Sequence, residues 1–262
     1  MDYNVLLLTK NDCYKTNRKM TPKGIVVHST GANNTSLKRY IGPDDGRIGK
    51  NTNNNHWNLP GVSKCVHAFI GKDKHGSVCT YQTLPLNVCC WGVGSGTKGS
   101  YNYSPAYLQF EILEDNLKSK TYFDKVMKEA QELCAKWCKD YNIPVDKIVS
   151  HKEAHDKGYG SNHKDCDHWL AEFGRDMDWF RSEVSKLLKA SMSVIKVGDK
   201  VKVKDGVTTY YDGKKMASLV KSATLYARKK EVKNGVDVWL VSTSKFLPIY
   251  TGRIKIKDLV KK

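Results

Sequence analysis

"IVSHKEAHDKGYGSNHKDCDHW", residues 148–169, opens as a short β-branched run and ends in a stretch crowded with possible metal ligands: His163, Asp165, Cys166, Asp167 and His168. A single histidine is more often a hydrogen-bonded structural residue than a ligand, so the density of such groups is what points to a metal. Just upstream, "VDKIVSH" reads as a strand that delivers His151 at its end. Working outward, "GIVVHST" (24–30) is a second buried strand ending near a histidine, His28, and "CVHAFIG" (65–71) is a third that carries His67. In "YLQFEILE" (107–114), Leu108, Phe110 and Ile112 fall on one face, with Gln109, Glu111 and Leu113 on the other. Two strand-end histidines plus one carboxylate or thiolate make the three-ligand set of a catalytic metal that keeps a fourth position open.

Between these strands, "YFDKVMKEAQELCAKWCKDY" (122–141) places Phe123, Val126, Met127, Ala130, Leu133, Cys134, Trp137 and Cys138 at three- and four-residue steps, which predicts an amphipathic helix stopped by Pro144. "HWLAEFGRDMDWFRSEVSKLLK" predicts a second helix over 168–189. Strands alternating with helices indicate one α/β domain over residues 1–189. The small, polar "ASMSV" (190–194) then marks a boundary, and short strand-like runs split by glycine turns predict a small all-β barrel over 190–262. Residues 191–262 hold 17 Lys+Arg against 6 Asp+Glu, so much of the chain's net charge of +17 sits there. That charge implies an anionic polymer as partner, without choosing among nucleic acid, an acidic membrane face and bacterial wall glycopolymers.

No apolar run is long enough to span a bilayer, and "MDYNVLLLTKNDCYK" is not a signal peptide, so synthesis in a cytosol is expected. The eight cysteines include no CxxC pair and are expected as free thiols, with Cys134 and Cys138 in the core of the first helix. "WGVGSGTKGSYNYSP" (91–105) is rich in glycine and aromatics but lacks the context of a phosphate loop; Trp91, Tyr101 and Tyr103 in it would suit a groove for sugar rings.

Taken together, "GIVVHST", "VHAFIG" followed by "YQTLP", "FEILED" and "SHKEAHDKGYGSNHKDCDHW" resemble the zinc-dependent N-acetylmuramoyl-L-alanine amidases of phage endolysins, relatives of the peptidoglycan-recognition proteins. The resemblance runs from about Leu7 to Leu188 and implies a central mixed β-sheet flanked by helices, with zinc in a surface cleft. It makes His28 and His151 two of the zinc ligands and leaves two readings of the third. Asp165 is favoured because His163 and Trp169 then fall into register, while the lysine-any-cysteine version of the pattern would select Cys166 and make Lys164 the catalytic cation. Glu111 matches the catalytic base and His163 the group that stabilises the oxyanion; His67, on a strand the family places beside the cleft, is either a substrate contact or a structural hydrogen bond, Trp91 is a substrate contact by the aromatic character of its loop, which departs from the family pattern, and Glu153 would support the site from behind. His56, His75, His155 and His168 are read as structural.

The second domain is similar, over shorter motifs such as "YYDGKKMASLV" and "VWLVST", to the SH3-like barrels attached to phage amidases, which implies wall binding. The expected partners are therefore bacterial peptidoglycan and its anionic wall polymers, with no nucleic acid and no membrane insertion. Without a signal peptide, an endolysin would reach the wall after membrane permeabilisation. The alternatives are a non-catalytic peptidoglycan-binding module, a basic nucleic-acid binder and a glycosidase using a carboxylate pair such as Glu111 and Glu114.

Overall fold

A computed structural model describes residues 1–247 and 250–262, with the backbone alone for residues 190–193. The chain divides into two compact units, Met1–Leu187 and Leu188–Lys262. In the first unit the elements run β1 (Tyr3–Val5), α1 (Asp12–Thr16), β2 (Ile25–Asn33), β3 (Ala68–Lys72), β4 (Val78–Gln82), β5 (Leu108–Glu114), α2 (Lys120–Tyr141), β6 (Ile148–Ser150), α3 (His151–Asp156), α4 (Asp167–Glu172) and α5 (Met177–Ser193). Six strands form one sheet in the order β1-β4-β3-β5-β2-β6. All neighbours are parallel except β3 and β4, so the sheet is mixed, as the sequence resemblance implies.

The apolar runs sit at the centre of this sheet because both of its faces are covered. On one face α2 packs with Trp137 edge-on to Phe110, ring centroids 5.8 Å apart. Burying side chains such as Trp137, Phe123 and Leu133, all at 2% exposure or less, stabilises the docked helix by roughly 2 kcal/mol each. Cys134 and Cys138 lie in this packed face as free, buried thiols. The helix starts at Ser119, whose side chain accepts from Tyr122 N, and ends at Asn142, which takes the left-handed conformation just before Pro144. On the other face Tyr40, Trp57, Phe69, Tyr81 and Leu113 form an apolar cluster.

Three sequence expectations change here. The helix expected over 168–189 is two helices, because Gly174 closes α4 at φ +64° and Asp176 Oδ1 accepts from Trp179 N (2.7 Å) to begin a new one. That new helix, α5, runs on to Ser193, so most of the "ASMSV" stretch expected as a break is its last turn. Cys13 and Cys65 are joined in a disulfide across 52 residues rather than left as free thiols; the two meet in a buried cluster with Leu84, Val88 and Cys90, and no short spacing in the sequence announces it.

In the second unit β7 (Lys200–Val203), α6 (Ser218–Ser222), β8 (Leu225–Lys233), β9 (Val236–Ser242), β10 (Gly252–Lys255) and β11 (Leu259–Lys261) follow. The five strands make an antiparallel sheet in the order β10-β9-β8-β7-β11. Its core holds Val201, Met216, Leu225, Trp239, Val241 and Ile254. Among the described residues no helix is long and apolar enough to cross a membrane.

Candidate metal centre

Parallel pairing brings the first two functional residues side by side. His28 on β2 stands opposite Glu111 on β5, and Val26 stands opposite Gln109, so Gln109, Glu111 and His28 share one face of the sheet. His151 arrives from the next strand: β6 pairs with β2 and stops at Ser150, and His151 is the first residue of α3. A capping box fixes that junction, since Ser150 Oγ accepts from Glu153 N (3.0 Å) while the Glu153 carboxylate accepts from Ser150 N (3.2 Å). Arg181 of α5 then grips both Glu153 oxygens at 2.8 and 3.0 Å and donates to Ile148 O. Glu153 therefore supports the site by holding the backbone from which His151 projects.

Asp165 comes from the loop between α3 and α4 and completes a triangle. His28 Nδ1 lies 3.1 Å from His151 Nδ1 and 3.1 Å from Asp165 Oδ2, and His151 Nδ1 lies 3.5 Å from Asp165 Oδ2. All three residues are buried. The outer nitrogens of both rings are engaged elsewhere: His28 Nε2 with Gln109 Oε1 (3.1 Å) and His151 Nε2 with Ser161 Oγ (3.2 Å). With those nitrogens as donors, the inward atoms are three lone pairs converging on one point, an arrangement that calls for a cation. Tetrahedral coordination at bond lengths of 2.0–2.1 Å spaces ligand atoms by about 3.3 Å, close to all three observed separations. The set can hold a divalent metal ion, and it is the group of such residues found among those described.

The geometry also separates the two candidates for the third ligand. Cys166, joined to Asp165 by a cis peptide, directs its thiol at Met177 Sδ (3.9 Å) inside the core, and burial pushes that thiol well above its ordinary pKa. Asp165, by contrast, turns Oδ2 toward the inward nitrogens of His28 (3.1 Å) and His151 (3.5 Å).

Two further groups face the triangle. The His163 ring lies parallel to that of His151 with centroids 4.5 Å apart, its Nδ1 3.5 Å from Asp165 Oδ1, and its side chain is 58% exposed. Glu111 has a buried Oε2 with no hydrogen-bond partner among the described residues. Burial, then the charges of Asp165 and Glu114, push its carboxyl well above the ordinary value, with Lys64 opposing. A cation held by the three ligands would draw it back down.

Other expected contacts fall away from the site. His67 is fully buried with its ring edge toward Trp137 of α2; Nδ1 accepts from Gln109 N (3.0 Å) and Nε2 donates to Val88 O (2.9 Å). With no exposed atom and both nitrogens used, it ties the β3 entrance to β5. Tyr101 is stacked between Tyr107 (3.9 Å) and Tyr159 (4.7 Å), so it packs the loop rather than lining a groove. Tyr103 is partly exposed under the Arg18 guanidinium, and Trp91 is half-buried against the disulfide cluster, its backbone N–H donating to Cys65 Sγ (3.3 Å). His168 pairs with Glu114 (3.1 Å), and His155 Nδ1 meets Gly160 O. Ser161 also lines a cleft of about 380 Å³ with Ser95, Gly96, Thr97, His155 and Asn162. Gln109 and Ser161 were not among the expected site residues; the alternation that put Gln109 on the Glu111 face was the one available signal for the first.

Comparison with known proteins bears on this arrangement. Residues 18–169, which contain every member of the triangle, match the family model described as N-acetylmuramoyl-L-alanine amidase. The chain belongs to that family. The N-acetylmuramoyl-L-alanine amidase CwlH of Bacillus subtilis (strain 168) is 31% identical over 150 residues, which is 57% of this chain and 51% of CwlH, so the chain spans about half the length of that curated relative. Among solved structures, the PlyG catalytic domain matches at a TM-score of 0.50 and 22% identity, covering 74% of this chain and 99% of the other. A mutant endolysin from Bacillus subtilis matches at 0.47 and 22%, covering 70% and 99%. By the PlyG match, the first unit has the mixed α/β fold of that catalytic domain.

Proposed function

We propose that the protein is a zinc-dependent endolysin that hydrolyses the amide joining the lactyl group of N-acetylmuramic acid to L-alanine in bacterial peptidoglycan. The observation that carries this reading is the triangle of His28 Nδ1, His151 Nδ1 and Asp165 Oδ2 with Glu111 on the adjoining strand. Two imidazoles and a carboxylate are the donor set of a catalytic zinc site, and the membership of the chain in an amidase family supports the choice of bond. Zinc bound there would supply Lewis acidity and bring the pKa of water toward about 7.

The remaining chemistry belongs to the protein. Glu111, a carboxylate with an unpartnered buried oxygen, takes the proton of the attacking water. As the water oxygen bonds to the lactyl carbonyl carbon, negative charge grows on the carbonyl oxygen, and the half-exposed His163 donates to it. Glu111 then returns its proton to the alanine nitrogen as the C–N bond breaks, giving a lactyl carboxylate and a free alanine amino terminus. His28, His151 and Asp165 would hold the metal and change no bonds.

The second unit is read as an SH3-like wall-binding module. Its excess of lysine and arginine over acids matches anionic wall polymers, and tethering would raise the local concentration of the catalytic unit on its substrate. End-group analysis of digested walls tests the reaction: new alanine amino termini, abolished by chelation and restored by zinc, are expected. New reducing sugars in place of alanine termini would overturn it in favour of a glycosidase.

A further inference from the structure

The glycine-rich stretch after Trp91 has no role in the mechanism above, yet it touches both metal-site histidines through one intermediary each. On the His28 side the hydrogen bonds have a readable direction. The N–H groups of Gly92 (3.2 Å) and Val93 (3.3 Å) donate to Asn102 Oδ1, so that atom is an acceptor, and Asn102 Nδ2 donates to Gly94 O (3.3 Å). The amide facing Asn102 Oδ1 is therefore the Gln109 NH2, which donates across 2.9 Å. Gln109 Oε1 is then left toward His28 Nε2 at 3.1 Å and accepts its proton, which leaves Nδ1 of His28 as a lone pair aimed at His151 and Asp165.

The His151 side reads the same way. Ser161 Oγ donates to Val93 O (3.3 Å), so it accepts from His151 Nε2 (3.2 Å), and Nδ1 of His151 is again the inward lone pair. Backbone peptides cannot reverse their polarity as side-chain amides can, so a relay that ends on residues 92–94 has a fixed sense. The loop must also come close. A Cβ on Gly92 would stand 2.5 Å from Gln109 Oε1, and one on Gly94, at φ +67°, would stand 2.6 Å from Ser161 Oγ.

We propose that Gln109 and Ser161, oriented by Asn102 and the backbone of Gly92, Val93 and Gly94, are positioning residues that lock His28 and His151 as Nε2–H tautomers and so present both Nδ1 atoms to one metal ion. This rests on the metal-site reading of "Proposed function" but concerns residues that touch neither metal nor substrate. Outer partners of this kind commonly govern metal affinity by about 10–100-fold.

The test uses the full chain. Long-range proton–nitrogen NMR of the metal-free protein should show both rings protonated at Nε2. Gln109→Leu should weaken zinc binding, measured by chelator competition, by about 10–100-fold and turn His28 into a tautomer mixture. Gly92→Ala should move both readouts the same way. Ser161→Ala should do so for His151, with Ser161→Thr restoring them; this pair decides the proposal if Gln109→Leu fails to fold. Nδ1–H rings in the metal-free wild type, or a folded Gln109→Leu with wild-type zinc affinity, would overturn it. If the wild type bound no zinc at all, the catalytic reading would fall, and the tautomers would still decide the relay.

Discussion

The imidazole of His163 lies flat against that of His151, centroids 4.5 Å apart and planes parallel, while its own side chain stays 58% exposed. In the proposed mechanism, a ring that leans on His151 without joining the triangle is the donor to the substrate oxygen. His163→Ala is expected to lower turnover by about 10²–10³-fold, the usual cost of losing one oxyanion donor, and to keep one zinc per chain. Metal analysis beside end-group kinetics checks this; loss of zinc in the variant would make His163 a ligand instead.

Asp165 and Cys166 are neighbours with opposite surroundings, one facing the two histidines and the other facing Met177. Asp165→Ala should abolish stoichiometric zinc, because two imidazoles alone leave the site a ligand short. Cys166→Ser should retain zinc and lose stability, since it places a hydroxyl in an apolar pocket at a cost of about 1–3 kcal/mol. Inductively coupled plasma analysis and thermal melts separate the two outcomes.

His67 gives the first unit an acid limit. Burial lowers its pKa from 6.5 to about 4, with hydrogen bonds to Val88 and Gln109 opposing. In that window the unfolded chain binds a proton that the folded one refuses, so stability is full above about pH 6.5 and falls as the pH drops toward 4. At about 1.4 kcal/mol per pKa unit, the loss is about 3 kcal/mol. Denaturant melts of wild type and His67→Gln across this range should show a smaller acid loss in the variant, whatever its stability at neutral pH.

Much of this fold and site is legible in the sequence, and what is not has physical causes. Apolar strand runs and helix periodicity locate His28, His151 and α2 because local patterning and burial dictate them, although β2 runs on past His28 to Asn33 instead of ending there. The register of His163 and Trp169 favours Asp165 yet leaves Cys166 open, because adjacent residues differ only in which way the backbone turns them. The resemblance puts the strand of His67 beside the cleft, but the residue sits one position before β3, and only the packing of Trp137 shows it facing the helix. The Cys13–Cys65 pair and the contacts of Ser161 depend on chain segments meeting across 52 and 68 residues, for which a single sequence carries no local signal.

That disulfide supplies the last expectation. By the chain-entropy account, closing a loop of this length removes denatured-state freedom equivalent to about 4 kcal/mol. Cys65 also accepts the N–H of Trp91, the residue that leads into the loop behind Gln109 and Ser161, so the bond braces the approach to the metal centre. Reduction, or Cys13→Ser, should therefore lower the melting temperature of the first unit by several degrees or more, with thiol counting to confirm the redox state. The second unit, whose described residues include no cysteine, should melt unchanged. Equal melting of the oxidised and reduced first unit would show that the cross-link adds nothing to what the sheet and α2 already hold.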